Sequence, residues 1–226
     1  MAVFVLIPGA GGNAGYWSRL VPELVRRGHE AIPVDIRQDD PELHLRDWAT
    51  AVEAATAGRP APVLVAQSLG GFLVPLVATR VHAAMVVLLN AMIPLPGETP
   101  DEWWGATGSG AARRAADEAA GRDPEFDLDR HFLHDLDDAA RTALFAETPR
   151  EPSATAMADA CAFERWPDIP TRVLVAADDR FFPLEFQRRV ARERLGLDAD
   201  VIDGGHLVAV SRPGEIADRL AAYAAG

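Results

Sequence analysis

The sequence contains no lysine, so all 22 of its basic residues are arginine. That excludes imine chemistry on an amine side chain, lysine-held pyridoxal phosphate and the lysine of a phosphate-binding P-loop. Against those cations stand 34 acidic residues, a formal net charge of −12. Nucleic acid is bound by clustered cations, and anionic membrane surfaces attract basic segments, so neither partner suits this chain. The acidic excess reads as a well-solvated surface. The single cysteine, Cys161, permits no internal disulfide and suits a reducing compartment. With no base in view it reads as a small buried hydrophobe. Long apolar runs are missing too. The opening Ala2–Ile7 stretch is too short for a membrane span or a signal-peptide core, and no charged segment precedes it. A cytoplasmic location is the expectation.

What is present fits one α/β domain. The chain has 226 residues, 49% hydrophobic and 25% charged, enough for one sizeable core and too few for two. Apolar, β-branched runs at 3–7, 31–34, 63–66, 85–89, 172–177 and 199–202 read as buried parallel strands. Helical spacing at 16–27, 42–57, 71–80, 184–195 and 213–224 fills the intervals. Strands alternating with helices predict a doubly wound, mostly parallel sheet of about six strands. Residues 93–168 interrupt the rhythm with Pro, Gly, Ala, Asp and several aromatics, and read as a mostly helical lid. The expected division is a core of 1–92 and 169–226 with a lid insertion of 93–168.

Chemistry concentrates at strand ends. The run Pro62–Gly71, P-V-L-V-A-Q-S-L-G-G, is a strand that turns sharply into a helix with Ser68 at the apex, the pattern of a nucleophile elbow. Small residues at Ala66 and Gly70 let strand and helix pass closely around that turn; a Ser so placed can also simply begin a helix. Serine is scarce, with five in the chain. The strand at 172–177 ends in Asp178-Asp179, where open α/β sheets deliver functional groups, although both acids could instead cap the helix that follows. The strand at 199–202 leads into Asp203-Gly204-Gly205-His206. The order Ser68, Asp179, His206 is that of the α/β-hydrolase triad. Two further histidines, His131 and His134, lie one helical turn apart among aspartates. A metal site is conceivable there, but the pattern reads as an exposed acidic lid helix. Trp103 and Trp104 either line a pocket or fix the lid to the body.

These stretches together resemble the α/β-hydrolases, and within them the branch holding plant methylesterases and hydroxynitrile lyases. The resemblance runs through F-V-L-I-P-G-A-G at 4–11, W-S-R-L-V-P-E-L at 17–24, the elbow, L-N-A-M-I-P at 89–94, D-D-R-F-F-P-L-E-F-Q-R at 178–188 and G-G-H at 204–206. It implies Ser68 as nucleophile, His206 as general base and Asp179 as the orienting acid four residues before Pro183, with Asp178 the alternative. It implies an oxyanion hole from the backbone N–H groups of Leu69 and Ala10. It also implies a chain that begins at what the family counts as its third strand. One departure is that Pro8 replaces the family's His before Gly, which alters how the oxyanion loop is braced. The lyases of the branch carry a Lys after the triad His and a Thr in the oxyanion loop. Here those positions are Leu207 and Gly9, so the resemblance favours a serine carboxylic-ester hydrolase. A lyase and a non-catalytic small-molecule-binding protein stand as the alternatives. The expected pocket lining is Trp17, Met92, Trp103, Phe181 and Leu207, suited to a small or medium apolar ester. No cofactor and no metal is called for; the expected partner is a small-molecule substrate, and no motif specifies an oligomeric state.

Overall fold

The computed structural model describes residues 1–226. Six strands form one parallel sheet: β1 (Val3–Ile7), β2 (Glu30–Pro33), β3 (Val63–Gln67), β4 (Met85–Leu89), β5 (Thr171–Ala176) and β6 (Ala199–Ile202). Their spatial order is β2-β1-β3-β4-β5-β6, and every adjacent pair is parallel. The continuous apolar runs have a direct cause, because both faces of this sheet are covered. Successive side chains point to opposite faces. Val5, Ile7, Leu64, Ala66, Val86 and Leu88 therefore join one core, packed with α2 (Leu45–Ala55), α3 (Val74–Val77) and α8 (Leu184–Leu195). Phe4, Leu6, Val63, Val65, Val87 and Leu89 join the other. That second core is completed by α1 (Leu20–Arg26), α9 (Val208–Ser211) and α10 (Pro213–Ala225).

Two expected helices are shorter or split, each for a local reason. The helix expected at 16–27 becomes a 3₁₀ turn, Ala14–Trp17, followed by α1. Pro22, which has no N–H to donate backwards, fits only in the first turn of α1. The helix after the elbow becomes a six-residue 3₁₀ segment, Ser68–Leu73, and the short α3. Pro75 imposes that break, since it cannot donate to the Gly71 carbonyl as a continuous α-helix requires. In α2, expected over 42–57, the first turn is delayed to Leu45, where the Asp47 carboxylate accepts the His44 backbone N–H at 2.9 Å.

Between β4 and β5 the chain forms α4 (Pro100–Thr107), α5 (Ser109–Ala119), a π-helical turn Asp129–Leu133, α6 (Asp138–Leu144) and α7 (Ala154–Met157). This insertion lies across the C-terminal edge of the sheet. Its Arg150 N–H donates to Gly11 O at 3.2 Å and its Ser153 N–H to Gln38 O at 2.7 Å. From its π-helical end, Asp135 accepts the Gly205 N–H at 2.7 Å. No helix of the chain is long and apolar enough to cross a membrane.

Candidate active site

Ser68, Asp179 and His206 each follow the end of a parallel strand, on the edge where ligands bind in open α/β sheets. At the end of β3 the backbone turns so sharply that Ser68 adopts φ +48°, the left-handed region a non-glycine residue enters only under constraint. The constraint is packing. A methyl group on Gly70 would lie 2.6 Å from Pro8 O, and one on Gly71 would lie 1.9 Å from Met92 O. Met92 N–H in turn donates to Ser68 O at 2.9 Å. The elbow is thus wedged between the loops that follow β1 and β4.

Three side chains line up across that edge. His206 Nε2 is 3.2 Å from Ser68 Oγ, and His206 Nδ1 is 2.8 Å from Asp179 Oδ2. All three residues are buried. Asp179 is locked by its own turn, because its Oδ1 accepts the N–H groups of Phe181 at 2.9 Å and Phe182 at 2.8 Å. Gln187 donates to its Oδ2 at 3.3 Å. Asp178 points elsewhere, 3.4 Å from Arg180 and 3.7 Å from His134 Nδ1, so of the two candidate acids it is Asp179 that meets His206.

Opposite Ser68 lies the loop after β1. Gly9 must be glycine, since a Cβ would come within 2.2 Å of Gln67 Oε1 and 2.8 Å of Ser68 Cβ. The next N–H, that of Ala10, has no hydrogen-bond acceptor within the protein. Leu69 N–H lies in the first turn of the 3₁₀ segment, where intrahelical acceptors are lacking.

These groups open into a cavity of about 510 Å³. Met92, Phe181 and Leu207 line it together with Trp104, Phe126 and Phe132. Trp17 and Trp103, expected in that lining, are elsewhere. Trp17 is fully buried in the core beneath the second face of the sheet. Trp103 is fully buried too, with its Nε1 donating to Ile93 O at 3.1 Å and its ring against Phe182 and Phe186. Adjacent helical residues are turned about 100° apart. On α4 this sends Trp103 into the core and leaves Trp104 for the cavity.

The segment around His131 and His134 also differs from the exposed acidic helix expected. His131 is fully buried, its Nε2 3.0 Å from both Asp117 Oδ2 and Arg113 Nη1. Arg122 donates to the other Asp117 oxygen at 2.9 Å. This is an ion-pair network inside the insertion. No three His, Cys, Asp or Glu side chains are grouped to hold a metal ion. Burial, and then the charge of Arg180, hold the His134 imidazole below its ordinary range. Cys161 is buried, and burial with the nearby Glu98 charge pushes its thiol up to about 12. At neutral pH it stays a thiol and carries no nucleophile.

Asn90 and Gln38 are buried polar residues whose importance sequence reasoning missed. Asn90, at φ +45° and with no exposure, accepts the Ala176 N–H at 2.8 Å. It donates to the carbonyls of His206 at 3.0 Å and Gly205 at 3.3 Å, tying the histidine loop to the ends of β4 and β5. The L-N-A-M-I-P stretch contained it, but nothing local marks an Asn as a brace for residues more than a hundred positions away. Gln38 holds the loop after β1 through Gly9 and Gly11.

The profile of the alpha/beta hydrolase family matches residues 4–219. The chain belongs to the alpha/beta hydrolase family. No curated protein matches it closely enough to transfer more. Among solved structures, this hydrolase is similar to an extracellular alpha/beta-hydrolase from a Paenibacillus species, described as sharing structural and functional homology with tobacco salicylic acid binding protein 2. The identity there is 19%, the TM-score 0.78, and 98% of each chain is covered. It is similar to a pyrethroid hydrolase from Sphingobium faniae, at 19% identity and TM-score 0.77, covering 100% of this chain and 98% of that one. A methylesterase from Arabidopsis is similar at 17% identity and TM-score 0.76, covering 100% and 99%. At these identities the likeness speaks for the fold.

Proposed function

We propose that this hydrolase cleaves a small or medium apolar carboxylic ester through an acyl-enzyme on Ser68. The observation that carries the reading is the continuous contact Ser68–His206–Asp179, of which Ser68 and His206 line the cavity together with Ala10, whose N–H is unpaired. In this mechanism Ser68 Oγ attacks the ester carbonyl carbon as His206 Nε2 takes its proton. The carbonyl oxygen becomes an oxyanion held by the N–H groups of Ala10 and Leu69; one such donor is worth roughly 3 kcal/mol in the transition state. The intermediate collapses, breaking the bond to the alcohol, and the proton on His206 passes to the departing oxygen. Water then enters, loses a proton to His206 and attacks the acyl carbon; the acid leaves and Ser68 recovers its proton. Asp179 orients the imidazole and balances its positive charge.

The mostly apolar and aromatic lining, which also carries Glu147, Arg150 and Glu151, supports an ester with apolar groups. A cyanohydrin lyase is disfavoured because Leu207, not a cation, follows His206, and Gly9 stands where a hydroxyl would be needed. The deciding experiment is intact mass after a fluorophosphonate, wild type beside Ser68→Ala, with p-nitrophenyl acetate and butyrate turnover followed in parallel. One adduct and turnover, both lost in the variant, are expected. Folded wild type that takes no adduct and turns over neither ester would overturn the reading in favour of a binding protein.

A further inference from the structure

The loop that presents Ala10 is braced by a side chain from a distant segment. Pro8 has no side-chain donor and no N–H of its own, so it can donate no hydrogen bond to secure the loop. The side chain that bonds this loop is Gln38, on the segment after β2 and 1% exposed. Its Nε2 donates to Gly9 O at 3.0 Å, and its Oε1 accepts the Gly11 N–H at 2.9 Å. One amide therefore clamps the residues on both sides of Ala10. Gly12 N–H adds a second bond to the same Gly9 O at 3.1 Å.

The carbonyl of Gly9 and the N–H of Ala10 belong to one peptide group. No peptide in the chain is cis, and in a planar trans peptide the C=O and N–H point in opposite directions. Holding Gly9 O towards Gln38 consequently turns the Ala10 N–H away from Gln38. It is left without a protein acceptor beside Ser68, which Gly9 approaches too closely to carry a side chain. Gln38 is itself fixed along its backbone: its N–H donates to Ile36 O at 2.8 Å, and its carbonyl accepts the Ser153 N–H at 2.7 Å. A clamp held at both ends can set a peptide plane that a free loop would leave to rotate.

We propose that Gln38 is the positioning residue of the oxyanion hole, aiming the Ala10 N–H through the Gly9–Ala10 peptide. The proposal rests on the serine-hydrolase reading above. Gln38 touches no substrate, and its effect is confined to the state in which an oxyanion exists. The test compares wild type with Gln38→Met, close in volume but unable to bond either backbone group. Gln38→Glu, the second variant, keeps the acceptor for Gly11 N–H and loses the donor to Gly9 O. Turnover of p-nitrophenyl butyrate gives kcat and KM, and an alkyl trifluoromethyl ketone, which adds to the serine as a charged tetrahedral adduct, reports oxyanion binding directly.

Both variants are expected to lose about 10- to 100-fold in kcat, part of the roughly 10²–10³ that deleting a donor costs. KM should stay within about threefold, and affinity for the ketone should fall by the same factor as kcat. A merely structural role would lower the folded fraction without weakening the ketone for the protein that remains folded. Folded Gln38→Glu with wild-type kcat, or a loss lying wholly in KM, would overturn the proposal; this arm stands even where Gln38→Met does not fold. Failure of the underlying reading is visible first in wild type, as absent turnover and no ketone inhibition.

Discussion

Replacing Asn90 tests how the histidine loop is held. Its side chain serves three backbone groups at a site with no exposure. In Asn90→Ala the Ala176 N–H is orphaned and two carbonyls lose their donor. A buried group left unpaired costs about 1–3 kcal/mol, and alanine at φ +45° adds roughly 1 kcal/mol of left-handed strain. Since the two carbonyls share one amide, the expected total is about 3–5 kcal/mol, a large part of the usual 5–15 kcal/mol of a domain. Asn90→Gly loses the same bonds but not the strain. It should therefore be the more stable variant by about 1 kcal/mol, reversing the ordinary penalty of glycine against alanine. Urea unfolding followed by circular dichroism, with matched m-values, gives both differences. Alanine within 1 kcal/mol of wild type, or glycine less stable than alanine, would refute the bracing role. Turnover by the folded fraction of Asn90→Gly should also fall, because the loop carrying His206 loses its tether to β5.

Two tryptophans adjacent in sequence should part company on truncation. Trp103→Ala empties a core site and should cost about 3–5 kcal/mol of stability, whereas Trp104→Ala should cost less and raise turnover of p-nitrophenyl octanoate relative to acetate; melting curves and the two rates check both. A pH titration of stability tests the ion-pair network in the insertion. Burial alone would raise the Asp117 carboxyl, but hydrogen bonds from His131 and Arg122 and their charges hold it below the ordinary carboxylate range. A depressed carboxyl stabilises the fold above its unfolded-state value and loses that contribution as pH falls through the folded one. Asp117→Asn should thus lower the melting temperature at pH 7, and its gap from wild type should close below about pH 4. A gap constant from pH 7 to pH 3 would show that the charge of Asp117 contributes nothing.

The sequence determined what is local. Apolar runs such as Val3–Ile7 and Met85–Leu89 can only be strands buried on both faces, because no solvent-facing side chains alternate with them. Their alternation with helices leaves a parallel sheet as the way to bury them, and the observed sheet is that six-stranded one. Ser68 between small residues, and His206 after two glycines, stood out because a strained elbow and a tight glycine loop restrict which residues fit.

Tertiary structure decided which side chain of a neighbouring pair faces the chemistry and which distant group holds it. Asp178 and Asp179 are alike in sequence, but only the turn that ties Asp179 to Phe181 and Phe182 directs one of them to His206. Trp103 and Trp104 share one helix, and its rotation alone assigns one to the core and the other to the cavity. His131 looked solvent-facing among aspartates and is buried, because Arg113 and Arg122 arrive from chain segments that charge counting cannot bring together. Asn90 and Gln38 follow the same rule. Their side-chain hydrogen bonds span 27 to 116 positions, and no spacing rule reaches that far. A side chain's partner depends on the packing of the whole sheet, which exists only once the chain has folded.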